Sequence, residues 1–318
     1  MAQKEYGGYI EFEYFHGKEF HEDAVKLNSG RHALEYLIRA KHIKHVSLPY
    51  FLCDTVKMIC DKFQVKVKYY HINMQFEPIC DQTFVGDEWL YIVNYYGQIS
   101  NEQISYYKKK YGNIIVDNVQ AFFQRPVDGI DTIYTCRKFF GVSDGGYLYT
   151  DTKLDVLDKD YSYDRMKFLF GRLEKSANEF YSDYVENNKM FRIQDVKEMS
   201  DVTRNIMRGL DYEYIINRRT DNFKILDATF AKINKFKLHM ADGAFMYPLY
   251  IEHGEEIRKY LQKEKVYIPT LWPDVFNICT LDDLEYDMAR NILPMPVDQR
   301  YNEEDMRYLI QEVKACID

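Results

Sequence analysis

Apolar residues follow one pattern in the first half of the chain and another in the second. Between residues 28 and 150, short apolar runs alternate with segments whose apolar residues recur every three or four positions. The periodic segments predict three helices. One begins at Ser29-Gly30, and the other two cover 55–63 and 101–111. Strands separated by such helices pair in parallel, so we predict an α/β fold with a mostly parallel central sheet and helices on both faces. The runs predict strands at 45–48, 65–71, 89–93, 113–117, 132–136 and 147–150.

After residue 150 the pattern becomes more helical. It predicts one helix over 161–188 and a second long helix over 202–236. A smaller α/β portion follows, with a strand at 245–252 that Pro248 assigns to a sheet edge. Further elements are predicted at 254–264 (helix), 266–268 (strand) and 302–317 (helix). We therefore predict a large domain at 1–160, a helical connection at 161–235 and a small C-terminal α/β domain at 236–318.

Composition and charge narrow the class of protein. The chain has 318 residues, of which 46% are hydrophobic and 29% charged, and this balance is typical of a globular protein with a sizeable core. The net charge of −8 and the absence of a basic stripe argue against a nucleic-acid surface. None of the six cysteines forms a C-x-x-C pair, which favours reduced thiols in the cytoplasm. We expect no signal peptide, no membrane span and no metal ligand.

Ligands of open parallel sheets bind beyond the carboxyl ends of the strands, and three segments fall there. The first is Ser29-Gly30, whose helix start has free amides that can receive a phosphate; an ordinary helix cap is the alternative. The second is Asp117, which directly follows three β-branched residues at the end of a buried strand. An unpaired carboxylate is costly there, so a cationic ring nitrogen is a suitable partner, although a helix N-cap explains the residue equally well.

The third segment contains Lys138, which follows a strand and precedes a turn-rich stretch ending in Gly145-Gly146. Its neighbours Phe139 and Phe140 can desolvate the amine, lower its pKa and free it for a Schiff base; a solvated lysine at a strand end is the alternative. The order of the three segments is more specific than any one of them. A phosphate-type helix start, a strand-end Asp and a strand-end Lys match a pyridoxal phosphate site.

Longer motifs around these residues resemble one family. The segments SGRHAL at 29–34, YYGQ at 95–98 and DNVQ at 117–120 resemble that family's SGTxAL, HLYGQ and D-x-A-Q motifs. KFFG at 138–141, followed by DGG at 144–146, resembles its lysine motif. Met199-Ser200, a helix with Arg218, Arg219 and Asn222, and the segment 293–301 resemble its later motifs. On these grounds the chain resembles the DegT/DnrJ/StrS sugar aminotransferases, which are fold-type I pyridoxal phosphate enzymes.

The resemblance implies roles for individual residues. Lys138 is the implied catalytic residue that holds the cofactor, Asp117 pairs with its pyridine nitrogen, and Gln120 lies near its 3-hydroxyl. The family's serine five residues before the lysine is replaced by Ile133, so Thr135 is the implied phosphate hydroxyl. The aromatic residue that covers the cofactor ring falls near Cys53, with Tyr50 or Phe51 as substitutes. The complete implied cofactor set is Ser29, Gly30, Arg31, His32, Asp117, Gln120, Thr135 and Lys138.

The resemblance also implies the reaction. We expect an aminotransferase that moves an amino group from glutamate or glutamine to a keto group, on a nucleotide-linked sugar used in surface polysaccharide or related biosynthesis. A homodimer is implied, because fold-type I sites usually form between two subunits. Two alternatives remain: another pyridoxal phosphate reaction on the same fold, such as dehydration or decarboxylation, and a degenerate member that only binds or regulates.

Overall fold

The computed structural model describes residues 6–154 and 156–317. Its strands and helices follow the chain order below. The strands are β1 (Val25–Leu27), β2 (His45–Pro49), β3 (Lys66–Ile72), β4 (Pro78–Ile79), β5 (Glu88–Val93), β6 (Ile114–Asp117), β7 (Asp131–Thr135), β8 (Gly146–Tyr149), β9 (Met246–Tyr250) and β10 (Ile292–Pro296). The helices are α1 (Gly30–Ala40), α2 (Asp54–Lys62), α3 (Asn101–Tyr111), α4 (Lys167–Glu174), α5 (Tyr181–Ile193), α6 (Asp201–Arg208), α7 (Tyr212–Phe230), α8 (Gly254–Lys263), α9 (Val275–Ile278), α10 (Leu284–Asn291) and α11 (Glu303–Ile317).

Eight strands form the main sheet in the order β1-β8-β7-β6-β5-β2-β3-β4. The five strands from β7 to β3 in this order pair in parallel, and the antiparallel pairs lie toward the edges. Every residue of β6 and β7 is buried, as expected for strands covered on both faces. The predicted open, mostly parallel sheet is confirmed, with the ends of the six predicted strands shifted by at most one residue.

A second, two-stranded sheet forms from the C-terminal part of the chain. β9 and β10 pair antiparallel, and Pro248 faces Pro294 across the pair. Two strands give each proline an edge position, where the missing N–H removes no interior hydrogen bond. A separate hydrophobic cluster joins this sheet to α7, α8 and α11 through residues such as Phe223, Leu249 and Leu309.

Three sequence-based predictions about this region are wrong. The helix predicted over 161–188 is interrupted between α4 and α5, where the ring of Phe180 lies against Gly171. The helix predicted over 202–236 ends at Arg208 and restarts at Tyr212, because the Asp211 side chain accepts the amide of Tyr214 and caps a new helix. The segment 266–268 pairs with no strand, and β10 is the strand that pairs with β9.

A helix that crosses a membrane must be both long and apolar. Among residues 6–154 and 156–317, no helix is both long and apolar enough to cross a lipid bilayer.

One close approach ties the main sheet to the start of α1. A Cβ atom added to Gly146 would lie 2.6 Å from the carbonyl carbon of Ser29 and 2.7 Å from the nitrogen of Gly30. Main-chain atoms on both sides cannot yield without moving β8 or α1. Only glycine therefore permits this contact.

Gly146→Ala should lower the free energy of unfolding by about 1–3 kcal/mol, the usual cost of overpacking a well-packed interior. Gly141→Ala is the matched control, because its added Cβ would meet no atom within 4 Å and its φ is not in the left-handed region. Its effect should stay within about 1 kcal/mol. Urea denaturation of the two variants checks the difference, and equal midpoints would contradict the contact.

Candidate active site

The start of α1 meets the carboxyl ends of β6 and β7. A Cβ atom added to Gly30 would lie 3.3 Å from the carbonyl oxygen of Tyr134, and 3.4 Å from side-chain carbons of Thr135 and Val119. Tyr134 and Thr135 end β7, and Val119 follows the end of β6. The structure therefore brings Ser29, Gly30, Thr135 and the loop after Asp117 together at the edge where ligands of such sheets bind.

The first turn of α1 keeps amides that no helical carbonyl can accept. Ser29 is the N-cap, and its Oγ accepts the amide of His32 at 3.3 Å. The amides of Gly30 and Arg31 precede the first helical hydrogen bond, so they can donate to an anion. The Thr135 hydroxyl donates to the carbonyl oxygen of Gly145 at 3.4 Å and retains its acceptor lone pairs.

Asp117 is a buried carboxylate with two protein donors. Its Oδ2 accepts the Tyr91 hydroxyl at 2.7 Å, and its Oδ1 accepts the amide of Val119 at 2.9 Å. Burial raises the pKa of Asp117, while the charge of Lys138 and these two hydrogen bonds oppose that rise. Each carboxylate oxygen keeps a further lone pair, so the group can accept another N–H.

Lys138 lies in a tight turn after β7, in which the amides of Phe139 and Phe140 donate to the carbonyl of Cys136. Its Nζ lies 5.6 Å from the centre of the Phe245 ring. The side chain is exposed to solvent, yet desolvation by the surrounding walls lowers its pKa, against the opposing charges of Asp117 and Cys53. Desolvation makes the amine more readily neutral and nucleophilic while the side chain stays accessible, and we call the accessible space around Nζ the cleft.

Gln120 faces a pocket next to this cleft. Its Oε1 accepts the amide of Tyr96, a residue held in the left-handed region at φ 54°. No residue in the described part of the chain accepts from its Nε2. The pocket has a volume of about 310 Å³ and also contacts Phe123, His239 and Asp242. Gln120 can therefore present a hydrogen-bond donor to a ligand.

The remaining predicted site residues have different surroundings. The His32 ring is buried, with Nδ1 2.7 Å from Oδ1 of Asn28 and Nε2 3.1 Å from the carbonyl of Gln194. Burial lowers its pKa to about 4. Because both ring nitrogens and the amide have partners within the chain, the structure does not bring His32 to a ligand. Arg31 is half-buried, and its Nη1 is buried without a hydrogen-bond partner.

The two aromatic substitutes for Cys53 are occupied elsewhere. Tyr50 stacks on Tyr69, and Phe51 packs against Trp272 within the core. Cys53 is the residue of this loop whose charge interacts with both Lys138 and Arg31. The sequence-based suggestion that Tyr50 or Phe51 takes the covering position stays a prediction, and either ring would have to leave these contacts to take that position.

Sequence reasoning also missed residues that support the site. Tyr91 was predicted only as part of a buried strand, although its hydroxyl is the side-chain donor to Asp117. Arg219 was noted within a motif without a role; it is buried and donates to the carbonyls of Phe139 and Ala244. It therefore fixes the Lys138 turn to the segment before β9. Parallel register between β5 and β6 is the signal that would have suggested Tyr91.

Several solved structures have the same fold. A DegT/DnrJ/EryC1/StrS aminotransferase from Brucella abortus is 13% identical, with a TM-score of 0.65 over 95% of this chain and 91% of its own. NtdA from Bacillus subtilis, solved with bound cofactor PMP, is 12% identical with a TM-score of 0.64 over 92% and 72%. The sugar aminotransferase CalS13 from Micromonospora echinospora is 11% identical with a TM-score of 0.58 over 92% and 87%.

These similarities confirm the predicted fold-type I architecture. Sequence comparison adds no closer relative: no protein-family model matches the chain. No curated protein sequence matches it either.

Asp117→Asn should lower the pKa of Lys138 further. The carboxylate stabilises the ammonium form, so its removal leaves desolvation less opposed and the amine loses its proton at lower pH. Competitive acetylation of the ligand-free protein at increasing pH, with Lys138 read by mass spectrometry, measures the midpoint. The exposed Asp128→Asn is the control and should leave it unchanged. An unchanged or higher midpoint in Asp117→Asn would contradict the interaction.

Proposed function

We propose that this protein is a pyridoxal phosphate-dependent aminotransferase. The observation that carries the proposal is the pair formed by Asp117 and Lys138, whose charges interact in a cleft at the carboxyl edge of the sheet. A desolvated amine facing a buried carboxylate is what covalent binding of a pyridine aldehyde needs. The shared fold with aminotransferases supports the same assignment.

The residues present fit the cofactor. Asp117 has free lone pairs beside its bonds to Tyr91 and Val119, so it can accept the ring N–H and favour the protonated pyridine. The amides of Gly30 and Arg31 can donate to the phosphate, and Gln120 Nε2 can donate to the ring hydroxyl. When bound, pyridoxal phosphate supplies the electron sink that stabilises negative charge at the amino-acid α-carbon.

Lys138 has two tasks in this proposal. Its amine binds the aldehyde carbon, and its lowered pKa favours the neutral form that this attachment requires. When it is not attached to the cofactor, the same Nζ could accept a proton from the α-carbon of a bound amino donor. Burial raises the pKa of Asp117, the charge of Lys138 and the donors Tyr91 and Val119 oppose that rise, and a protonated ring nitrogen would oppose it further.

The proposed substrates are glutamate or glutamine as amino donor and a nucleotide-linked keto sugar as acceptor. The pocket beside Gln120 supports a sugar, because its polar lining, including Asn101, His239 and Asp242, can bind hydroxyl groups and contains no lysine or arginine. CalS13, which shares the fold, is a sugar aminotransferase. Surface polysaccharide or related biosynthesis in the cytoplasm is the proposed setting.

We also propose a homodimer. Large apolar side chains are exposed on α4 and α5, including Phe170, Leu173, Tyr181 and Ile193. A cluster of this kind is typical of a surface that another chain covers. Helix α5 also contacts the site through Asn188, which accepts a hydrogen bond from Arg137, so a partner on this face would lie close to the cleft.

The purified protein with added pyridoxal phosphate should develop a visible absorbance band, which glutamate should bleach while one equivalent of 2-oxoglutarate is released. Lys138→Ala should abolish the band that depends on this amine and lower turnover by several orders of magnitude. Exposed Lys153→Ala is the control and should behave like the parent protein.

The same measurement separates the alternatives. Bleaching without 2-oxoglutarate would indicate another reaction on the same cofactor. A protein that stays colourless would indicate a non-catalytic member, and full activity in Lys138→Ala would refute the proposal.

A further inference from the structure

Two arginines next to the candidate site have buried nitrogens with no hydrogen-bond partner: Nη1 of Arg31 and Nε of Arg137. Neither side chain forms an ion pair with any residue in 6–154 or 156–317. Burying a guanidinium without a counter-charge is costly, because lost hydration is not replaced. An anion supplied from outside the chain would remove that cost.

The two arginines lie on the two segments that meet in the site, the start of α1 and the turn after β7. Arg31 follows Gly30, and Arg137 lies two residues after Thr135; a Cβ on Gly30 would lie 3.4 Å from that of Thr135. Burial lowers the pKa of Arg137, and the charge of Arg31 lowers it further.

The protein positions Arg137 but does not neutralise it. Its Nη2 donates to Oδ1 of Asn188, and its guanidinium lies 4.7 Å from the centre of the Phe191 ring. On the same ring lies Arg165, which differs because it has a counter-charge: it pairs with Asp160 at 2.8 Å. Arg137 is held by neutral groups only.

The nearest carboxylates are already engaged. Asp144 accepts the amide and hydroxyl of Ser200 and the hydroxyl of Thr203. Asp54 pairs with Arg192 at 3.0 Å. The positive charge of Arg31 and Arg137 is therefore available to a ligand at the start of α1.

We propose that Arg31 and Arg137 together bind a phosphate monoester dianion, which under the proposed function is the phosphate of the cofactor. The identification of this phosphate as the cofactor's rests on the proposed function. Two guanidinium groups supply charge-assisted hydrogen bonds in addition to the amides of α1. They add donors where Ile133 is buried and apolar and where the Thr135 hydroxyl already donates to the carbonyl of Gly145.

The test compares ligands with and without the phosphate. Dissociation constants of pyridoxal phosphate and pyridoxal are measured by absorbance for the parent protein, Arg31→Met and Arg137→Met. Each substitution should weaken pyridoxal phosphate at least tenfold, because one charge-assisted hydrogen bond contributes about 1.5–3 kcal/mol. Pyridoxal should bind all three proteins equally. Exposed Arg172→Met is the control and should change neither constant.

Arg137→Lys distinguishes a specific loss of binding from misfolding. It keeps the positive charge, so it should retain part of the preference for pyridoxal phosphate over pyridoxal. An equal loss for both ligands, or no loss for either, would overturn the proposal. So would weaker binding of uridine diphosphate with unchanged pyridoxal phosphate, because the arginines would then serve a nucleotide substrate.

Inorganic phosphate separates this proposal from the proposed function. It should raise the unfolding temperature of the parent protein but not of the two methionine variants. If pyridoxal phosphate failed to bind while inorganic phosphate still raised the unfolding temperature, the proposed function would be refuted and the anion site would be supported. If neither ligand acted through the arginines, the anion site would fall.

Discussion

The arrangement depends on one electrostatic constraint: two opposite charges, Asp117 and Lys138, are both desolvated at the same edge of the sheet. Burial raises the pKa of the acid and lowers that of the amine, and each charge partly reverses the shift of the other. Neighbouring parallel strands β6 and β7 place the two residues beyond adjacent strand ends. Neither group is neutralised fully, so both stay available to a ligand with a cationic ring nitrogen and an aldehyde.

The surrounding structure brings this pair close to the start of α1, where we propose the anion subsite. Gly30 and Gly146 let α1 approach the ends of β7 and β8 closely enough to bring the first amides of the helix to the cleft. Arg219 fixes the turn of Lys138 to the segment before β9 through main-chain carbonyls. A buried acid and buried arginine nitrogens without hydrogen-bond partners lower stability in the absence of a ligand, and this cost becomes binding energy when the ligand supplies complementary charge.

Much of the fold and the centre of the site follow from local sequence patterns. Alternating runs and helical periods predict the parallel sheet, and residues at strand ends predict Asp117 and Lys138 without knowledge of distant contacts. Features that depend on tertiary register do not follow: the Tyr91 hydroxyl reaches Asp117 from a neighbouring strand. The break between α6 and α7 was also not predicted, because a single capping hydrogen bond to Asp211 outweighs the helical period there. Arg137 was not predicted as a site residue, because its surroundings depend on contacts with Asn188 and Phe191 of α5.

The most direct test of the central claim is the position at which pyridoxal phosphate attaches. The protein is loaded with the cofactor, reduced with borohydride and digested, and the modified peptide is identified by mass spectrometry. We expect one pyridoxyl group per chain, on Lys138. Modification spread over exposed lysines, or located on a different single lysine, would contradict it.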